Sequence, residues 1–202
     1  MSPVRVRLIR SLTVIALAVP LVAVPVVAQA KDVTHADARG DAVHYVSRSA
    51  PPTPALGLVN GDIVGTMLRH TDRRVQMRFR FADLRRVVVM YNELYSRVVT
   101  NEGVRRDVIL FAHNGNWAGS AYMSQPNAGH VRCPVRHSID YLNNVITVGF
   151  PRTCLSQPRW VRIAASYASD PGDDTYFGDD ALTDGFDPDA TAPRFSSRVY
   201  RG

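Results

Sequence analysis

The chain has 202 residues, of which 46% are hydrophobic and 21% charged, with two cysteines and a formal net charge of +6. That length suits a single domain with a sizeable core, two cysteines bound it to one bridge, and neither an internal repeat nor a G-x-S-x-G, H-E-x-x-H or G-x-x-x-x-G-K signature is present to announce a hydrolase or a phosphate binder. The charge is uneven: residues 31–169 hold 18 basic and 10 acidic residues, whereas residues 170–189 hold eight aspartates and no basic residue.

Residues 1–30 have the order of a secretory signal: Arg5, Arg7 and Arg10, an apolar run from Val14 to Val27, then the small-residue triplet Ala28-Gln29-Ala30. A membrane anchor is the rival, disfavoured by Pro20, Pro25 and the cleavage triplet. Export implies that the mature chain, from Lys31, is extracellular or periplasmic, where a disulfide persists.

The mature chain then reads as a series of strands. Residues 42–46 suggest a short strand, and a proline-rich linker follows around residues 50–54. Residues 62–70 (DIVGTMLRH) and 73–81 (RRVQMRFRF) pair across Thr71-Asp72. The second alternates with period two, placing Val75, Met77, Phe79 and Phe81 inward and Arg74, Gln76, Arg78 and Arg80 outward. Residues 86–100, 106–112 and 117–123 supply three more strands, the last two joined at Asn114-Gly115.

The stretch 131–167 closes the set. Asn143-Asn144 between two alternating runs predicts a two-residue type I′ hairpin, with Leu142 opposite Val145 and Tyr141 opposite Ile146, and with Ile139, Tyr141, Ile146 and Val148 on one face. Counting outward brings Cys133 opposite Cys154 for a disulfide. Pro151 would fall at a hydrogen-bonded position, so the ladder breaks or bulges before the cysteines. A helical turn is expected near residues 153–156, then a last strand with Val161, Ile163 and Ala165 inward. The expected fold is therefore all-β: an antiparallel sandwich, immunoglobulin-like or jelly-roll-like, with one disulfide. It spans residues 31–169. Residues 170–202 are expected as an Asp-rich segment, partly ordered because Tyr176, Phe177, Leu182 and Phe186 interleave the carboxylates, and packing on the sandwich; the carboxylates of residues 170–189 could bind calcium or lie against the basic body.

Chemistry is sparser. The six histidines are scattered singly, and neither Ser120 nor Cys133 has an activating context. Arg74, Arg78 and Arg80, extended by Arg69, Arg85 and Arg86, form a face that could attract a polyanion; the alternative is a solvated face paired with the acidic tail. Nucleic acid is not favoured, because no aromatic residue interleaves these arginines. Asp37 and Asp41 in DARGDA, with Asp62 in NGDI, could supply hard oxygens to calcium, or could simply cap turns. Trp117 and Trp160 are read as core residues in preference to sugar-stacking ones, although Trp160 is out of phase with its inward neighbours and could be exposed.

D-x-x-G-D, then G-D-I entering a strand, then an R-V strand ending in FADL, resemble the opening of carbohydrate-binding sandwich domains of the DOMON and family 9 carbohydrate-binding type. FPRTCLSQPRWVRIAASY, DDALTDGF and the closing SSRVYRG resemble secreted actinobacterial proteins of uncharacterised function. The resemblance implies a sandwich with structural calcium at Asp37, Asp41 and Asp62, without a definite counterpart of the aromatic sugar platform. The expectation is a secreted, monomeric, non-catalytic protein that binds a cell-wall polymer or another glycan. A small hydrolase whose residues converge only in the fold, or a module docking on a protein partner, are the alternatives.

Overall fold

The computed structural model describes residues 32–46, 51–87, 91–171, 175–185 and 194–202. The export segment and Lys31 lie outside them. In chain order the strands are β1 (Val33–Ala36), β2 (Val43–Tyr45), β3 (Thr53–Pro54), β4 (Ile63–His70), β5 (Arg74–Phe81), β6 (Tyr91–Thr100), β7 (Arg105–His113), β8 (Asn116–Gln125), β9 (Gly129–Val131), β10 (Arg136–Asp140), β11 (Val145–Pro151), β12 (Trp160–Asp170), β13 (Tyr176–Asp180) and β14 (Val199–Tyr200), with a 3₁₀ turn at Arg152–Leu155.

They form an antiparallel β-sandwich. One sheet has the order β1-β4-β5-β11-β10; the other runs β3-β2-β13-β12-β6-β7-β8-β9, with β14 also paired to β12. Period-two alternation builds the space between them. Val75, Met77, Phe79 and Phe81 of β5 and Ile146, Val148 and Phe150 of β11 are buried against Leu94 and Val98 of β6, Leu110 of β7 and Val161 and Ile163 of β12. Each such side chain contributes roughly 1.5–3 kcal/mol by leaving water. Tyr167 closes one end of the core: its ring meets Phe81 edge-on with centroids 5.0 Å apart, and its hydroxyl donates to Asn92 Oδ1 at 2.8 Å. Among the described residues, no helix is long and apolar enough to cross a membrane.

The β10–β11 hairpin departs from its expected register by two residues. Asp140 lies opposite Val145 and Ile139 opposite Ile146, so residues 141–144 make a four-residue turn. Asp140 is the reason: its Oδ1 accepts from the amides of Leu142 and Asn143 and its Oδ2 from the Asn143 side chain, and of the two asparagines only Asn144 has a positive φ, 55°. A type I′ turn needs two such residues. Because the slip is even, the faces are unchanged and Ile139 still packs on the core. The ladder between these strands starts at Arg136, the 3₁₀ turn follows Pro151, and the Cys133–Cys154 disulfide joins the approach to β10 to that turn.

Besides the short strands β3, β9 and β14, two strands that bear on the site lie where none was expected. β1 pairs with β4, and residues 176–180 of the Asp-rich segment are β13, hydrogen-bonded between β12 and β2. The chain end is anchored as well: Ser196 N–H donates to Ile163 O and Gly202 N–H to His70 O.

Candidate cation site and the two open sheet faces

The β1–β2 loop, the entry to β4 and the end of β13 meet at one edge of the sandwich, and each brings aspartate there. Gly61 turns the chain into β4 with φ +92°, and a Cβ on it would lie 2.5 Å from Tyr167 Cε1, so only glycine lets the backbone pass close enough to bury Asp62. Asp62 accepts the Gly40 amide on both oxygens, at 3.1 and 3.0 Å, which folds the β1–β2 loop over it. Asp179 faces the interior from β13 and accepts the Ile63 amide at 2.6 Å. Asp41 accepts the Gly185 amide at 2.7 Å, tying the loop after β13 to the loop before β2.

Two trios result. Carboxylate oxygens of Asp41, Asp62 and Asp179 lie within 4.8 Å of one another, as do a nitrogen of His35 and oxygens of Asp37 and Asp184. Oxygens held at about 2.4 Å from one calcium ion can be no more than ~4.8 Å apart, so the separations suit that ion. The trios are electrostatically joined. Burial pushes the Asp37 carboxyl up to about 9, reinforced by the charges of Asp179, Asp41 and Asp184. Burial likewise raises Asp179 to about 8 against the opposing Ile63 amide, with Asp41, Asp62 and Asp180 adding to the rise. Asp62 is raised by burial and Asp41, while its bond from Gly40 and the nearby Arg39 pull the other way.

The polar bookkeeping is incomplete among the described residues. The Asp37 side chain has no exposed surface, yet its Oδ2 has no hydrogen-bond partner, and neither does Asp41 Oδ1. His35 Nε2 stands 3.4 Å from Asp184 Oδ1 and 3.9 Å from Asp37 Oδ1, near enough for attraction if protonated but without hydrogen-bond geometry. Buried carboxylate oxygens left bare are costly. A hard divalent cation fits this donor set, and protonation is the other way to relieve it.

Of the aspartates singled out in the sequence, Asp41 and Asp62 share a trio, and Asp37 belongs to its neighbour. His35, Asp179 and Asp184 complete the group without having been named with them. Asp179 has no alternation to announce it; the adjacent aromatics Tyr176 and Phe177 within the acidic run were the one hint of a strand there.

The arginines lie elsewhere. Arg74, Arg78 and Arg80 are exposed on the outward face of the five-stranded sheet, and among the described residues none of the three has a carboxylate within ion-pair distance. Arg69 is held by Asp32, Arg85 pairs with Asp83, and Arg86 lies over the Tyr141 ring at 4.6 Å.

The outward face of the larger sheet carries an aromatic row. Tyr91 of β6, Phe111 of β7, Tyr122 of β8 and His130 of β9 follow one another across four strands, with centroids 6.1, 6.3 and 4.6 Å apart. His113 extends the row beside Phe111 at 6.2 Å. The strand alternation that buries Asn92 and Leu94 sends Tyr91 outward, 41% exposed. Neither tryptophan joins it: Trp117 meets Tyr141 edge-on and Trp160 lies under Arg198.

Among the described residues, the histidine that meets carboxylates is His35. His44 stacks on Phe177, His70 is buried against Val199 O, His113 contacts Asn114 O, and His137 contacts the carbonyls of Ala118 and Gly119. The chain matches no family model, and no curated protein or solved structure is significantly similar to it.

Proposed function

We propose that this chain is an extracellular, non-catalytic binding module whose sandwich is closed at one edge by calcium, held by Asp41, Asp62 and Asp179 with Asp37 beside them, and whose aromatic row receives a glycan. The observation that carries the reading is the convergence of Asp37, Asp41, Asp62, Asp179 and Asp184, drawn from both sheets, with a fully buried carboxylate oxygen left bare among the described residues. The ion's role here is electrostatic: it neutralises carboxylates that burial has crowded together and so fixes the β1–β2 loop, the start of β4 and the segment after β13 to one another. Calcium is preferred to magnesium because it tolerates irregular sets of carboxylate oxygens, whereas magnesium demands near-octahedral geometry. The export segment and the disulfide support an extracellular setting.

The test is thermal unfolding of the mature protein in calcium and in EDTA. An ion binding only the native state at a hundredfold excess over its dissociation constant stabilises by about 2.7 kcal/mol. For a domain of this size that is a rise in midpoint of roughly 5–10 °C. Equal midpoints in calcium and EDTA would overturn the reading.

The glycan half rests on the aromatic row, since neighbouring, partly exposed rings on an outward sheet face offer apolar surface to sugar rings. Pull-down on insoluble polysaccharide checks it. Retention should be lost in Phe111→Ala and Tyr122→Ala with the calcium response intact, and retention unchanged in both variants would remove the row from the account.

A further inference from the structure

The outward face of the five-stranded sheet carries a line of arginines without an ion-pair partner among the described residues. β5 is its central strand, and Arg74, Arg78 and Arg80 project from it. Residues two apart on one strand stand ~6.8 Å apart, and residues four apart twice that, so the three guanidinium groups make a line of like charge along the strand. Lines of like charge disfavour the fold unless something opposes them. Opposition is available one strand away, where Asp32 clamps Arg69 through both of its oxygens. It is absent on β5 among the described residues. Asp140 lowers the local potential near Arg78 only at a distance, and its oxygens are engaged by the turn it caps. Arg136 on β10, in register with Gly149, adds a further positive charge on the same face.

The shape of the face keeps these arginines accessible. The partner of Arg80 on β4 is Gly65, over which the guanidinium reaches to donate to Val64 O at 3.5 Å, and the partner of Gln76 on β11 is Gly149, so one side of the line is open at each position while Val145 and Arg69 flank the other. Thr147 beside Arg78 and Ser138 beyond it supply hydroxyls. Meanwhile five other described carboxylates, Asp37, Asp41, Asp62, Asp179 and Asp184, are gathered at the cation site.

We infer that this face binds a linear polyol phosphate chain, a polymer bearing one phosphodiester per short polyol unit. Charge complementarity requires a polyanion, and the spacing narrows it. Arg78 and Arg80 call for anions ~6.8 Å apart, which a three-carbon polyol phosphate provides when extended and a glycan with one acid group per disaccharide does not. Guanidinium groups match phosphate oxygens in pairs, and the hydroxyls of Thr147 and Ser138 with the Gln76 amide suit the polyol between phosphates. Single-stranded nucleic acid has phosphates at comparable intervals but needs stacking platforms between them, and this face carries no aromatic residue among β5, β10 and β11 outward positions.

The experiment uses the mature chain in calcium, with poly(glycerol phosphate) immobilised as the probe and binding followed against salt. Three phosphate contacts on a single-stranded polyanion give a slope of log affinity on log salt near −2, so affinity should fall on the order of twentyfold between 50 and 200 mM salt. Arg74→Ser/Arg78→Ser/Arg80→Ser should abolish binding while keeping its calcium-dependent midpoint, and Arg105→Ser, on the other sheet, should bind as the parent does. No binding at 50 mM salt, or binding that survives the triple substitution, would overturn the inference. Equal or tighter binding of polygalacturonate or single-stranded DNA of matched charge would overturn the choice of partner.

Discussion

Asp179→Asn separates the two ways of relieving the acidic cluster, because it acts in opposite directions with and without calcium. The substitution keeps the shape of the side chain and leaves an oxygen to accept the Ile63 amide, but removes a carboxyl that burial holds at about 8. At pH 7 the cation-free native state carries that group protonated, whereas the unfolded chain ionises it near 4. Holding the proton for those three pH units sets a ceiling of about 4 kcal/mol on what the substitution can return. Neighbouring aspartates that ionise in response take part of this back, leaving a gain of roughly 2 kcal/mol in EDTA. In calcium the same change deletes a ligand from the trio, so the calcium-induced rise should largely vanish. Denaturant unfolding at pH 7, in EDTA and in calcium, reads both halves. A variant less stable than the parent in EDTA, or one with the parent's full calcium response, would refute the reasoning.

In EDTA the parent should lose stability as pH rises from 5 to 8: between about 4 and the folded values of about 9 for Asp37 and 8 for Asp179, the native state holds protons that the unfolded chain has released. Calcium competes with those protons, so its stabilising increment should grow over that window, and a midpoint that rises with pH in EDTA would contradict the assignment. Replacing Cys133 and Cys154 by serine opens a loop with a sequence separation of 21 and should cost about 3 kcal/mol by denaturant unfolding; a loss under 1 kcal/mol would show the bridge to be dispensable. Gly61→Ala should destabilise by at least ~2 kcal/mol, combining about 1–2 kcal/mol for a left-handed alanine with displacement of the Tyr167 ring; an unchanged midpoint would mean the β4 entry has another conformation.

The sandwich was legible because its evidence is local. Val75, Met77, Phe79 and Phe81 alternate with charged or polar residues over consecutive positions, and burial follows that pattern in the structure. The hairpin was half legible: its apolar faces follow from parity, but its register depended on Asp140 capping the turn, a side-chain choice that the Asn143-Asn144 pair concealed. β13 was obscured by composition, since aspartates are poor strand formers and a run of them resembles a solvated tail. Here Asp179 is turned inward to the Ile63 amide and Asp180 caps the following turn at Leu182, so the carboxylates are part of the pairing rather than an obstacle to it. The acidic cluster could be read only in part. Asp37, Asp41 and Asp62 lie near one another in sequence, but the bonds that complete the group span 116 residues from Ile63 to Asp179 and 144 from Asp41 to Gly185. No local pattern encodes a pairing of that range. The arginine line was visible from alternation alone; that the described aspartates of the tail lie elsewhere became clear only when the tail's strand was placed in the other sheet.

The central claim is that the aspartates at the sandwich edge hold a calcium ion, and isothermal titration of the EDTA-stripped, dialysed mature protein with calcium at pH 7.5 tests it most directly. The account predicts saturable binding with a dissociation constant below about 1 mM, release of protons on binding because Asp37 and Asp179 ionise, and loss of the signal in Asp41→Asn/Asp62→Asn. Absence of saturable heat at millimolar calcium, with the protein folded, would contradict it.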